Sequence, residues 1–431
     1  MKTKSFKNKN FVIVAILTVF TLAIFNFLMD PYNIFRNKIY SNIYDLPRKY
    51  ISIVLKSQKN VQNDTIIIGS SDVDTLFASK DIYSFFFNKL ALHSTSCREQ
   101  YFLLEDYLSL HPELKKAFLI VGYPTFLHYK GEKIPRIKGK NLTIKELSFL
   151  LFSEDATRLS LSCLKNGKPI ISNKKGYEKF FTDKPELYQF FQYSPNTAFN
   201  VNINKTFHQQ IKEENEEYLK KMINLLKEKN IDYYIIIPPT HAIYLSMLST
   251  IPYLQKSVDD IKRLYVELSS NDVYDFSVMN KYTTSDIVNK NYLYCDLLHP
   301  NLIMGMKVFK VIHDGISEKD FCEKLNKNNI EKQIVVQNRL VAEYYKNNKD
   351  IVDKFLHFHE TNPNADIAIR EERSFKGAPE YITQEIEIYK LLIEKRKEMI
   401  NSGDILPRGI FKNKLWINDD FLISDNECKR L

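Results

Sequence analysis

The chain has 431 residues and a hydrophobic content of 44%, enough to bury a sizeable core and to make roughly two or three domains. Its net charge of +9 is carried by Lys spread along the whole length, which excludes the concentrated basic face of a nucleic-acid binder. The five cysteines, Cys97, Cys163, Cys295, Cys322 and Cys428, are far apart and form no CxxC or Cys/His pattern, so no metal site is expected, and the odd count leaves at least one thiol free or paired with another chain.

Residues 1–10 are basic, with Lys2, Lys4, Lys7 and Lys9. Phe11 to Met29 follows without a charge, interrupted only by Thr18, Thr21 and Asn26. A run of that length at helical rise approaches the thickness of a bilayer core, and the basic flank favours a cytoplasmic N-terminus. The apolar run leads straight into Asp30-Pro31 with no small-x-small cleavage site, which favours an uncleaved single-pass anchor over a removed signal peptide. The main domain is then expected outside the cytoplasm. Residues 30–62, broken by Pro31, Asn33 and Pro47, read as a juxtamembrane connector.

Residues 63–316 read as an α/β domain. Thr65 to Ile68 is a short buried strand, broken by Gly69-Ser70-Ser71-Asp72, with a helix opening over Val73 to Phe77. Further strands are expected at Lys89–Leu92, Ala117–Val121, Tyr233–Ile237 and Val273–Phe276. Helical periods occupy Glu99–Leu110, Thr143–Phe152, His208–Lys229, Val258–Leu268 and Asn301–Ile312. Thr143 and Glu146 have the spacing of a capping box. Strands alternating with helices predict a five-stranded parallel sheet covered on both faces. Residues 125–205 are irregular and read as an insertion over the sheet edge, a place for substrate contacts. Residues 317–431 read as a helical C-terminal extension, with amphipathic stretches at Ile330–Tyr345 and Glu380–Ile400 and a last strand pattern only at Phe421–Ile423.

Two stretches carry chemistry. A serine in the turn after the first strand stands at the carboxyl edge of a parallel sheet, where open α/β folds keep their sites. Asp296-Leu297-Leu298-His299-Pro300 precedes the last helix of the sheet domain. Asp and His three apart lie on one side of a turn, so that the carboxylate can accept the imidazole Nδ1–H and leave Nε2 for a third group. Either stretch alone also fits an ordinary strand-to-helix turn or a helix cap.

Together, a Gly-x-Ser after the first strand and an Asp-x-x-His after the last resemble the SGNH (GDSL-type) hydrolase superfamily, over about Asp64 to Ile312. The resemblance implies a flavodoxin-like three-layer fold and a catalytic triad of Ser71, Asp296 and His299. The anchor followed by Asp30-Pro31, the Ile237-Pro238-Pro239-Thr240-His241 run, the Tyr274-Asp275-Phe276-Ser277 run and the His299-Pro300 ending resemble its membrane-anchored, cell-surface acyl-modification branch. The family usually carries a Gly after its second strand and an Asn after its third. Here those places read Leu92-His93-Ser94-Thr95 and Val121-Gly122-Tyr123-Pro124, which leaves Ser71, Ser94 and Gly122 as the oxyanion-hole candidates. His241, His93 and Tyr123 follow strands at the same edge and are candidate substrate contacts; His241 also suits a capping role. Asp72 is expected to turn outward or cap the helix, and Asp275 to be a turn residue.

The function that follows is a serine esterase or O-acyltransferase acting on acyl, most simply acetyl, esters of surface carbohydrate, without cofactor. The alternative is a non-catalytic glycan-binding or scaffolding module that partners a membrane acyltransferase. A nucleotide binder is disfavoured, because no Gly-rich phosphate loop follows the first strand.

Overall fold

A computed structural model describes residues 2–29, 64–77, 88–92, 95–128, 136, 141–166, 205–285, 293–294, 297–300, 302–315 and 318–357. The chain divides into two compact units.

The first unit is built on α1 (Lys2–Met29), whose stretch Phe11–Met29 is long and apolar enough to cross a membrane. The two threonines in that stretch turn their hydroxyls back on the helix, Thr18 to Val14 O at 2.9 Å and Thr21 to Leu17 O at 2.8 Å. Residues Lys133–Ser172 belong to this unit. They include α5 (Ile144–Phe152) and α6 (Glu154–Asn166), which pack against α1. The expected insertion over the sheet edge is therefore, at least over α5 and α6, a hairpin packed on the apolar N-terminal helix. The Thr143–Glu146 capping box forms: Glu146 N donates to Thr143 Oγ1 at 3.2 Å, and Thr143 N donates to Glu146 Oε2 at 2.7 Å.

The second unit is α/β. Its strands are β1 (Thr65–Gly69), β2 (Asn88–Ala91), β3 (Lys116–Ile120), β4 (Asp232–Ile237), β5 (Val273–Asp275) and β6 (Glu323–Leu325), in the spatial order β2-β1-β3-β4-β5-β6. The first five are parallel, with pairings such as Ile67 with Phe118 and Ile236 with Tyr274. Ile66 to Ile68 and Ile235 to Ile237 are all fully buried; the strands read as continuous apolar runs because helices cover both faces. The helices are α2 (Ser71–Leu76), α3 (Cys97–Leu110), α4 (Tyr123–His128), α7 (Lys205–Glu228), α8 (Ala242–Ser249), α9 (Pro252–Leu268), α10 (Leu302–Asp314), α11 (Ile330–Asn347) and α12 (Lys349–Leu356).

Two expectations are corrected. The sheet has six strands, not five, and is mixed: β6 pairs antiparallel with β5, Tyr274 opposite Lys324. The C-terminal extension, helical over α11 and α12, also contributes a strand where none was expected before Phe421. Besides supplying β6, it is tied to the α/β unit by Arg263, which donates to both Glu331 oxygens at 2.7 and 2.9 Å. Gln255 Nε2 also donates to Asn338 Oδ1 at 2.8 Å, and Met279 N to Gln337 Oε1 at 2.9 Å. Glu380–Ile400 and Phe421–Ile423 lie outside the described residues.

One close approach sets the geometry of the unit. α10 packs on α2, and the contact point is Gly305, where a Cβ would stand 1.7 Å from Leu76 O. No side chain fits there, since the obstacle is backbone. Gly305→Ala is expected to force the two helices apart at a cost of about 3 kcal/mol, the upper end of the usual overpacking range. Urea denaturation of the full chain should read this as a lower midpoint with an unchanged slope.

Candidate active site

The connection from β1 leads to β2 on one side and that from β3 leads to β4 on the other. A crevice opens at such a reversal, beyond the carboxyl ends of the strands. Ser70 and Ser71 stand at the end of β1, and Gly122 just beyond β3.

The two serines have different partners. Ser70 Oγ accepts from Thr95 N at 3.3 Å, in the loop after β2. Ser71, the first residue of α2, directs Oγ to His299 Nε2 at 2.7 Å. Ser71 and His299 are almost fully buried, each with 5% exposure. The segment bearing His299 is fixed by its backbone: Leu297 O accepts from His241 N at 3.2 Å, and Tyr294 bridges to Pro300. Ser71 and His299 are therefore brought together from opposite ends of the unit. Asp296, His93 and Ser94 lie outside the described residues.

Asp72 does not turn outward; it takes the other expected place and holds backbone N–H groups at the start of α2. It is buried, and its Oδ1 accepts from Ser70 N at 3.1 Å and Val73 N at 2.9 Å. Its Oδ2 sits so near Gly122 that a Cβ there would be 3.0 Å away. Burial raises this carboxyl from 3.8 to about 6, against the attraction of His299 and the backbone N–H groups, which lower it. Above that pH the site holds a negative charge beside Gly122, one of the expected oxyanion donors. That charge opposes a developing oxyanion.

His241 and Tyr123 are placed inside the protein rather than at a binding surface. His241 caps α8, with Nδ1 accepting from Ile243 N at 3.2 Å. Its Nε2 lies 2.8 Å from Ser285 O; a carbonyl only accepts, so Nε2 carries the proton. The ring meets Tyr294 edge-on at 5.1 Å. Tyr123 is fully buried, and its Oη lies 2.8 Å from Ser277 Oγ. Ser277 Oγ in turn donates to Asp275 Oδ1 at 2.6 Å. Asp275 is more than a turn residue: its Oδ2 accepts from Lys262 Nζ at 2.6 Å, with both side chains buried. Burial alone lowers the Lys262 ammonium, but Asp275 and Tyr123 outweigh it and hold it above its usual range.

Sequence reasoning passed over Thr95 and the start of α3. The signal was there: Ser96 and Glu99 have capping-box spacing. Ser96 N and Oγ donate to Glu99 Oε2 at 3.0 and 3.1 Å, which fixes the loop from which Thr95 reaches Ser70. Among the described residues no three of His, Cys, Asp or Glu gather as a group that could hold a metal ion. No protein-family model matches this chain, and no curated protein matches it either.

The Asp72 shift sets a stability prediction. Its folded value lies above the unfolded one, so between about pH 4 and 6 the folded state binds the extra proton. The stability this group contributes is present below 3.8 and is lost as pH rises through about 6. Asp72→Asn keeps the Oδ1 acceptor and removes the buried charge. It is expected to stabilise the protein by up to about 3 kcal/mol at pH 8 and hardly at all at pH 4. Thermal melts at the two pH values check this; equal shifts at both would contradict it.

Proposed function

We propose that this chain is a membrane-anchored serine hydrolase or acyltransferase of the SGNH type, acting on acyl esters of cell-surface carbohydrate. The observation that carries the reading is the 2.7 Å contact of Ser71 Oγ with His299 Nε2, buried at the reversal point of a mostly parallel sheet. The order 2-1-3-4-5 of the five parallel strands supports this reading, because flavodoxin-like folds share that order.

The chemistry follows from the residues. His299 Nε2 takes the Ser71 proton as Oγ attacks the ester carbonyl, forming a tetrahedral oxyanion. Collapse of that intermediate breaks the bond to the leaving alcohol, which takes the proton from His299, and an acyl-Ser71 ester remains. His299 then deprotonates either water, giving hydrolysis, or a sugar hydroxyl, giving transfer, and the second collapse restores Ser71. Asp296, three residues before His299, is assigned the Nδ1–H and the correct tautomer. Phe11–Met29 serves as the single anchor, with its basic flank in the cytoplasm and the α/β unit outside it. A membrane-bound acyltransferase is the proposed protein partner.

The Asp72 carboxylate favours a second reading, a non-catalytic module of the same type that binds or presents acylated glycan. A negative group beside the nucleophile and the missing family Asn both weaken oxyanion stabilisation. An active-serine phosphonate probe decides between the two. Wild-type protein is expected to gain one adduct by intact mass, located at Ser71. Ser71→Ala and His299→Ala should each lose the adduct and cut p-nitrophenyl acetate hydrolysis by about a thousandfold or more, while keeping the wild-type melt. Folded wild-type protein that neither labels nor turns over, yet retains acetylated glycan, would establish the non-catalytic reading instead.

A further inference from the structure

Exposed large apolar side chains are not scattered over this protein. Among the described residues, all but Phe207 and Val335 belong to α1 or to the α5–α6 hairpin. On the hairpin they are Ile144, Leu147 and Phe152 of α5 and Leu161 and Leu164 of α6, with Ile144 at 85% exposure. A soluble surface of that kind would be a liability on so small an element.

The hairpin sits on the last turns of α1. Asn26 and Met29 are buried, while Phe27 and Leu28 on the other side stay exposed. Asn26 Nδ2 donates to Leu151 O at 2.8 Å and to Thr157 Oγ1 at 3.1 Å. Leu151 is in the final turn of α5, where helix carbonyls have no intrahelical partner. The NH2 group of the one amide in the apolar stretch is thus matched to a carbonyl at the end of a hairpin helix, while its Oδ1 is buried with no hydrogen-bond partner among the described residues. Such pairing is what a low-dielectric surrounding demands. Asn26 lies three residues before the end of the apolar stretch, so the hairpin lies at the level where α1 leaves the hydrocarbon. Its exposed charges, Lys145, Glu154, Arg158 and Lys165, suit headgroup depth and not the bilayer centre.

We propose that the α5–α6 hairpin is seated in the interfacial layer of the same bilayer, beside the exit of α1, with Ile144, Leu147, Phe152, Leu161 and Leu164 against lipid. The occupant of this apolar face is lipid, because the face continues the apolar surface of α1 and is joined to it by the Asn26 hydrogen bonds. The inference rests on reading α1 as a membrane span.

Tryptophan quenching tests it in the full-length protein. The single tryptophan is Trp416, so Trp416→Phe gives a silent background. Phe152→Trp, Leu161→Trp, Phe20→Trp in the span and Val335→Trp on the α/β unit are then reconstituted separately into phosphatidylcholine vesicles with acyl chains brominated near the headgroup or near the tail. The hairpin probes are expected to lose most of their emission to the shallow bromines and Phe20→Trp to the deep ones, while Val335→Trp loses almost none. If Phe20→Trp is quenched and the hairpin probes behave like Val335→Trp, the hairpin is covered by protein or faces water, and the proposal is overturned with the span intact. If Phe20→Trp is not quenched either, the span reading fails and the proposal falls with it.

Discussion

The contact between Ser71 and His299 joins residues 228 positions apart, and it exists because two helices can touch. α10 follows His299 directly and lies against the end of α2, which begins at Ser71. Gly305 gives the room, since any Cβ there would run into Leu76 O. Around that contact lie Val73, Leu76, Phe77, Met304, Val308 and Phe309, all buried in one cluster. Apolar packing thus draws the two ends of the unit together, and a missing side chain sets how near they come. The hydrogen bond is a consequence of this packing; one such bond is worth only about 1 kcal/mol and could not impose the geometry.

Buried charge is handled in two ways a short distance apart. Asp275 is paired with Lys262 and also accepts both the backbone N–H and the hydroxyl of Ser277. A fully bonded pair of this kind tolerates burial. Asp72 has two backbone N–H donors and the more distant pull of His299, and its carboxyl stays raised to about 6. A charge left undercompensated beside Ser71 is a cost to the fold, and it couples the electrostatics of the site to pH.

The first unit is arranged differently: large apolar side chains face outward and several polar groups find partners within it, while Asn26 Oδ1 and Ser160 Oγ are buried with no hydrogen-bond partner among the described residues. Thr18 and Thr21 bond back to their own helix, and Asn26 Nδ2 is answered by the hairpin. The second unit has the reverse arrangement, with its isoleucines buried in the sheet. The two units therefore differ in which side chains they expose.

Elements with a strong local signal were legible in the sequence: the five apolar strand runs, the amphipathic period of α7 and the uncharged stretch of α1. Elements without one were not. α8 is buried nearly all round, so it has no polar face to set a period. β6 is three residues long, two of them charged, and is a strand only because β5 offers it an edge. The same division holds in the site. Ser71, Asp296 and His299 were singled out by a family resemblance that rests on residue type and spacing, Gly-x-Ser after the first strand and Asp-x-x-His after the last. That Ser70 turns to Thr95, that Asp72 turns inward, and that Tyr123 is spent on the scaffold were decided only by the tertiary structure. These are matters of side-chain direction and of contacts made across long stretches of chain, and a linear sequence holds no record of which partner each group will meet.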